Sequence, residues 1–274
     1  MNELVAIAKG KQLPKEPIRY QQHAEYTGDR RAYRLTSRPI GIGGQCEVYE
    51  ATRKSDERIF ALKRIRDRGS SFAAERMKRE INVLAAMDCE ATMPIVDWDS
   101  DKFTWYVMPK GRRSMAELPR PLSKELLARI LRAVITALAA AHGKRQPHRD
   151  VKPGNVIELI DASGQPRWVL GDWGLTRRPL GETTTPLTKT EHILGTDGFA
   201  PPEAYQQAHL VDAVGDIYSL GQLIAWATGT DPVPNVPAVA AEPWTSIVER
   251  MNQLAPEDRV QTIGKVRELL EKHL

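Results

Sequence analysis

The feature that most constrains this chain is a change of character at about residue 111. Before it come short β-prone runs, "YRLTSRPI", "CEVYEATR" and "RIFALKRI", broken by "GIGG" and "KSDE", then "PIVDWD" and "FTWYVMP". Runs this short with turn residues between them predict a meander of antiparallel strands. One helix interrupts them: in "SSFAAERMKREINVLAAM", Met77, Ile81, Leu84 and Ala85 recur at helical spacing. Beyond residue 111 helices dominate. "LSKELLARILRAVITALAAAH" has Ser123 placed as an N-cap and Leu127, Ile130, Leu131, Val134, Ile135 and Leu138 on one face. "GDIYSLGQLIAWATG" is apolar nearly all round, which predicts a buried central helix, and two more helices are expected around 245–254 and 263–272. The order predicts an α+β chain, a small β-rich part with one helix followed by a larger, mostly helical part.

Several classes are excluded early. No apolar run approaches the roughly 20 residues that span a bilayer, and "MNELVAIAKGKQLPKEP" lacks a secretory core and cleavage site, so no membrane segment and a cytoplasmic location are expected. Two cysteines, Cys46 and Cys89, give neither a disulfide framework nor zinc spacing. Residues 1–38 carry eight Lys/Arg against four acids, which accounts for the chain's net charge of +4. Residues 1–32 show no sustained periodicity and read as a basic N-terminal extension, a solvated segment or an arm that docks an acidic partner. No nucleic-acid motif accompanies it.

Three stretches carry chemistry. In "GIGGQCEVYEA", Gly41, Gly43 and Gly44 lie between strand-like runs, where backbone N–H groups could approach phosphate oxygens. Taken alone, a plain Gly-rich hairpin turn explains them, and a strand rather than a helix follows, against a dinucleotide fingerprint. In "FALKRI", Lys63 is a lone lysine flanked by Ala61, Leu62 and Ile65. It reads as an edge lysine until Glu80 is considered, a carboxylate beside the inward stripe of the next helix that needs a cationic partner. Third, "HRDVKPGNV" sets Asp150, Lys152 and Asn155 in one polar run, with Asp172 following in "VLGDWGL". Such hard-oxygen and cationic groups suit Mg²⁺ and a polyphosphate.

Together these features resemble the eukaryotic-type serine/threonine protein kinase family, found in bacteria too. The Gly-rich loop, strand lysine, helix glutamate, "HRDVKPGN", "DWG", "GTDGFAPPE" and "DIYSLG" with a later Arg259 match over about Tyr33 to Leu274. The resemblance implies the bilobal kinase fold: an N-lobe over 33–108, a hinge near 108–112 and a C-lobe over 109–274. It implies ATP with Mg²⁺, or Mn²⁺ as second candidate, and a protein substrate whose identity is not legible; oligomeric state is not legible either. Asp150 would accept the substrate hydroxyl proton and Lys152 would steady the γ-phosphoryl group. Asn155 and Asp172 would hold the metal. Lys63, fixed by Glu80, would contact the α- and β-phosphates beneath the loop of Gly41, Gly43 and Gly44. Ile40, Val48 and Ala61 would flank the nucleotide, with Met108 as gatekeeper, Pro109 offering a carbonyl and Gly111 an N–H. Glu203 would pair with Arg259, and Asp216 would hold the His148–Arg149 backbone. Arg149 would answer a phosphate on one of Thr183, Thr184, Thr185, Thr188 or Thr190. Lys152, two residues after Asp150, and Thr196 resemble the serine/threonine branch.

The sequence also departs from the family. Cys46 replaces the third glycine, Trp173 replaces Phe, and Pro109 at the hinge has no N–H to give. The segment from Thr230 to Arg259 is short and its first half too proline-rich for a helix, so the helix that often docks protein substrates is expected to be reduced or missing. Two other classes stay open: a nucleotide-binding scaffold, whose usual sign is loss of the lysine or of either aspartate, and a small-molecule phosphotransferase, which commonly lacks the "GTDGFAPPE" segment.

Overall fold

The computed structural model describes residues 27–161, 163–174, 198–207 and 211–273. The chain divides into two compact units, residues 1–112 and 113–274. The first is β-rich with one long helix and the second mostly helical.

In the first unit the meander forms an antiparallel sheet. Its strands are β1 (Tyr33–Leu35), β2 (Gly41–Ile42), β3 (Cys46–Arg53), β4 (Ile59–Ile65), β5 (Asp97–Trp98) and β6 (Trp105–Pro109), in the order β1-β3-β4-β6-β5 with β2 also on β3. Alternation sorts their side chains. Ala51, Phe60, Leu62, Trp105 and Val107 leave one face and bury a core with Tyr33 and Val96. Val48, Lys63 and Tyr106, and Ala61 with Met108, are cross-strand partners on the opposite face. Helix α1 (Ser71–Ala86) starts at Ser70, whose hydroxyl accepts from Ala73 N at 3.2 Å, and its stripe is buried as expected.

The end of the expected N-terminal extension is built into this unit. Asp97 is fully buried and burial raises its pKa above the ordinary value, opposed by its hydrogen bonds. Its carboxylate accepts from Thr27 N at 3.3 Å, Thr27 Oγ1 at 2.5 Å, Gly28 N at 2.9 Å and Tyr33 Oη at 3.0 Å. A buried carboxylate needs such donors. Three of the four come from residues 27 and 28, which composition alone assigned to an arm. Residues 1–26 lie outside the described residues.

The second unit starts where β7 (Arg113–Ser114) pairs with β8 (Val156–Ile160), which pairs in turn with β9 (Pro166–Leu170). Helix α2 (Lys124–His142) packs on β9; after it come α3 (Pro202–Gln207), α4 (Ala213–Ala227), α5 (Thr245–Met251) and α6 (Ile263–Leu270), of which α4 and α6 pack on α2 and α5 packs on α4 and α6. Helix α4 is buried nearly all round. Residues 228–244 contain no helix. One side chain organises them: Gln222 in α4 donates to Gly198 O at 2.8 Å and Val236 O at 3.1 Å. It accepts from Ala238 N and Asn252 Nδ2, each at 2.8 Å. Helix α5 stops at Met251, short of the expected Leu254, because Asn252 turns its side chain into this network.

Close packing makes Gly221 irreplaceable. A Cβ there would stand 2.0 Å from Asn252 Oδ1 and 3.1 Å from Met251 Cβ. In chemical denaturation Gly221→Ala is expected to lower stability by about 1–3 kcal/mol through overpacking. Gly264→Ala, on the exposed face of α6 with nothing closer than 3.9 Å, is expected to raise it by about 0.5–1 kcal/mol.

Candidate active site

In the first unit the site residues share the sheet face opposite the core. Lys63 lies across from Val48 on β3 and Tyr106 on β6, and Ala61 across from Met108. Helix α1 brings Glu80, 2% exposed, to the same place. Lys63 Nζ donates to both carboxylate oxygens of Glu80 at 2.8 Å. Tyr106 Oη donates to Glu80 Oε1 at 2.8 Å. The expected ion pair is present and buried, where desolvation makes an unpaired partner costly.

The glycine turn is closed by Gly43 N donating to Cys46 O at 2.8 Å and Ile40 N to Val48 O at 2.7 Å. Its glycines are not required by the protein itself. A Cβ would come no nearer than 3.7 Å at Gly41 and 3.6 Å at Gly43, and would meet nothing within 4 Å at Gly44; none has positive φ. Contrast Gly198, with φ +85° and a Cβ position 2.7 Å from Pro232 O. What three residues without side chains provide is room for an external group to approach the backbone closely, which fits a polyphosphate. Ile40 is exposed, Ala61 buried, and Val48, Met108, Pro109 and Gly111 half-buried.

In the second unit the β8–β9 hairpin gathers the rest. Val156 pairs with Leu170, and just beyond that pair Gly171 N donates to Asn155 O at 2.8 Å. Asn155 therefore stands beside the residue preceding Asp172. Asp172 is exposed and takes φ +57°, a left-handed conformation that aspartate tolerates better than most residues. Asn155 Nδ2 donates to Asp150 O at 2.7 Å and Asp150 Oδ2 at 3.0 Å, while Lys152 Nζ lies 2.7 Å from the same Oδ2. With its nitrogen engaged, Asn155 has its amide oxygen to offer a cation, and Asp172 adds carboxylate oxygens. That hard-oxygen pair fits a divalent metal completed by phosphate and water. Among the described residues no cluster of three or more His, Cys, Asp or Glu forms a protein-only metal cage.

Asp216 holds this loop in shape. It is fully buried at the start of α4 and accepts from His148 N and Arg149 N, each at 2.7 Å, with His142 Nε2 also at 2.7 Å. Burial pushes its pKa up, but the His142 hydrogen bond and the Arg149 N–H prevail and hold it below the ordinary carboxylate value. The clamp sustains a strained residue: Arg149 has φ +69°, unusual for a long side chain. His148 bridges to the hairpin, its Nε2 2.9 Å from Gly171 O and its Nδ1 accepting from Asp150 N at 3.2 Å. Trp173 is fully buried with its ring 4.5 Å from that of His148, and its Nε1 donates to Leu170 O at 3.1 Å. Glu203 and Arg259 form a bidentate pair at 2.7 Å. Arg149 Nε donates to Val211 O at 2.7 Å. Thr183, Thr184, Thr185, Thr188, Thr190 and Thr196 lie outside the described residues.

Sequence reasoning missed Tyr106 and His142. Tyr106 could have been found from the step of two that puts it on the face of Met108. Nothing local to His142 marks its partner, 74 residues away.

The fold is that of a protein kinase domain. The chain belongs to the protein kinase domain family, whose profile matches residues 35–272. It is 33% identical over 192 residues to serine/threonine-protein kinase pkn2 of Myxococcus xanthus, an alignment covering 68% of this chain and 23% of that protein. It is 33% identical over 208 residues to serine/threonine-protein kinase PknE of Mycobacterium tuberculosis, covering 73% and 35%. Identity is 31% over 195 residues to the DNA damage-responsive serine/threonine-protein kinase RqkA of Deinococcus radiodurans, covering 68% and 28%. The chain thus spans between about a quarter and a third of these relatives' lengths. Among the described residues no helix is long and apolar enough to cross a membrane.

Asp216→Asn tests the clamp. Because the native carboxylate has a lowered pKa, its contribution is present above the ordinary value of 3.8 and lost as pH falls through the lowered one. The variant is expected to be less stable than wild type by about 3 kcal/mol at neutral pH. In urea titrations from pH 7 to 2 the gap should close as the medium becomes acid.

Proposed function

We propose that this chain is an ATP-dependent protein serine/threonine kinase, moving the γ-phosphoryl group of Mg²⁺–ATP to Ser or Thr hydroxyls of a protein substrate. The observation that carries the reading is the compact group on the loop leading into β8. Lys152 and the Asn155 amide each lie within 3.0 Å of the Asp150 carboxylate, and Asn155 stands beside the residue leading to Asp172. An alcohol, a transferring phosphoryl group and a metal ion must meet within a few ångströms, and these are the groups each requires.

In this reading Asp150 orients the hydroxyl and accepts its proton, while Lys152 stabilises charge growing on the phosphoryl oxygens. Asn155 and Asp172 hold the metal, Mg²⁺ first and Mn²⁺ second. The metal, when bound, neutralises phosphate charge and aligns the leaving oxygen. Lys63, steadied by Glu80, binds the α- and β-phosphates, and the bare backbone of Gly41, Gly43 and Gly44 covers the triphosphate. Ile40, Val48 and Ala61 flank the base, which meets the Pro109 carbonyl and the Gly111 N–H beside Met108. Arg149 serves a phosphate placed by self-phosphorylation on one of the threonines from Thr183 to Thr190. Use of ATP supports a cytoplasmic location for the reaction. Lysine and both aspartates are retained, which favours catalysis over a nucleotide-binding scaffold.

Purified protein incubated with Mg²⁺ and γ-labelled ATP, followed by phosphosite mapping, tests this. Wild type is expected to label itself or a generic protein substrate on Ser or Thr. Asp150→Asn should reduce transfer by about 10²–10⁴-fold and Asp172→Asn should abolish metal-dependent labelling. Wild type that binds ATP yet transfers nothing, with Mg²⁺ or Mn²⁺, would instead identify a scaffold.

A further inference from the structure

Tyr106 touches both members of the Lys63–Glu80 pair. The contact follows from register: Lys63 stands directly opposite Tyr106 in the β4–β6 pair, so both side chains leave the same face. Trp98, fully buried, is opposite Tyr106 on the β5 side, and Tyr106 itself is 1% exposed. Its hydroxyl donates to Glu80 Oε1 at 2.8 Å, and the Lys63 ammonium lies 5.8 Å from the ring centroid.

A phenylalanine would fill the same core volume, so packing does not account for the hydroxyl. The carboxylate it meets does. Glu80 is almost wholly removed from water, and a buried charge is tolerated only with well-placed donors. Lys63 supplies donors to both oxygens, but a lysine that serves a phosphate must divide its hydrogen bonds between phosphate and carboxylate. A second donor, neutral and fixed in the sheet, keeps the carboxylate in place as the ammonium turns toward its ligand. The ring is held within reach of the ammonium and offers it a weakly attractive face.

We propose that Tyr106 is a positioning residue for the nucleotide-binding lysine, pinning Glu80 Oε1 so that Glu80 presents Lys63 in one orientation. The proposal rests on the reading that Lys63 binds nucleotide. It extends to β6 a role otherwise shared by the β4 lysine and the α1 glutamate.

The test is a double-mutant cycle of Tyr106→Phe with Glu80→Met. It is read by calorimetric affinity for Mg²⁺ and β,γ-imido-ATP and by hydrogen–deuterium exchange of residues 71–86. Tyr106→Phe is expected to weaken the analogue's binding about tenfold in the native background, as loss of a hydrogen bond to a charged group does. In the Glu80→Met background, where no carboxylate remains to be pinned, the same change should be within about twofold. An equal loss in both backgrounds would show that the hydroxyl acts through general packing and would overturn the proposal. Exchange in residues 71–86 should speed up in Tyr106→Phe while residues 124–142, in the other unit, keep their rates; unchanged exchange in 71–86 would also overturn it. That arm needs neither nucleotide nor turnover. It therefore still decides the role of Tyr106 if wild type proves unable to bind or use ATP.

Discussion

The second unit depends on one buried carboxylate. Asp216 sits at the first turn of α4 and takes two consecutive backbone N–H groups of the loop that carries Asp150. A free helix N-terminus already favours negative charge, and here the anion is placed to bind a loop. The positive φ of Arg149 costs of order 1–3 kcal/mol and persists because its N–H, the N–H before it and its own guanidinium are all engaged. From that fixed kink the chain runs into Asp150, Lys152 and Asn155 without further freedom, and His148 ties the kink to the β8–β9 hairpin through Gly171. Relaxing Asp216 would loosen several chemistry-bearing residues while touching none of them.

The first unit divides labour by strand parity. Odd-numbered residues of β6 and even-numbered residues of β4 bury the hydrophobic core, and the alternate set faces the other way with Lys63, Ala61, Tyr106 and Met108. A sheet with one packed face can dedicate its second face to chemistry at little cost in stability. The arrangement also explains why Lys63 follows an apolar neighbour in sequence: Leu62 belongs to the core set, and Lys63 points away from it.

Much of this was legible in sequence because the periodicities are strong and local. The stripes of α1 and α2, the Ser123 cap and the β-prone runs that became β3 and β4 needed no long-range information. The Lys63–Glu80 pair was legible too, since an inward glutamate demands a cation. The β8–β9 hairpin was not foreseen: "VIELI" and "PRWVL" are five-residue runs within a stretch dominated by helices, and their pairing becomes decisive only once Gly171 meets Asn155. Gln222 and Asn252 were equally opaque. Each looks like an ordinary polar residue, yet together they hold a proline-rich segment that cannot satisfy its own backbone by forming a helix. Asp97 misled composition in the other direction, drawing Thr27 and Gly28 out of an apparent arm because a buried charge takes donors wherever the chain can provide them.

Asp97 and Glu80 make a useful pair of opposites. Both are carboxylates buried in the first unit, and each accepts a tyrosine hydroxyl, Tyr33 for one and Tyr106 for the other. Asp97 is met at short range by backbone N–H groups and hydroxyls, which solve desolvation with fixed, neutral dipoles. Had stability been the sole requirement at Glu80, the same solution or an apolar side chain would have sufficed, since buried ion pairs are often no more stabilising than the hydrophobic residues that replace them. Glu80 is met by an ammonium instead. A cation held by a carboxylate is a poor way to stabilise a core and a good way to keep a positive charge oriented. On the proposed reading the pair serves an anionic ligand, and the bare glycines at 41, 43 and 44 fit the same ligand from the neighbouring turn.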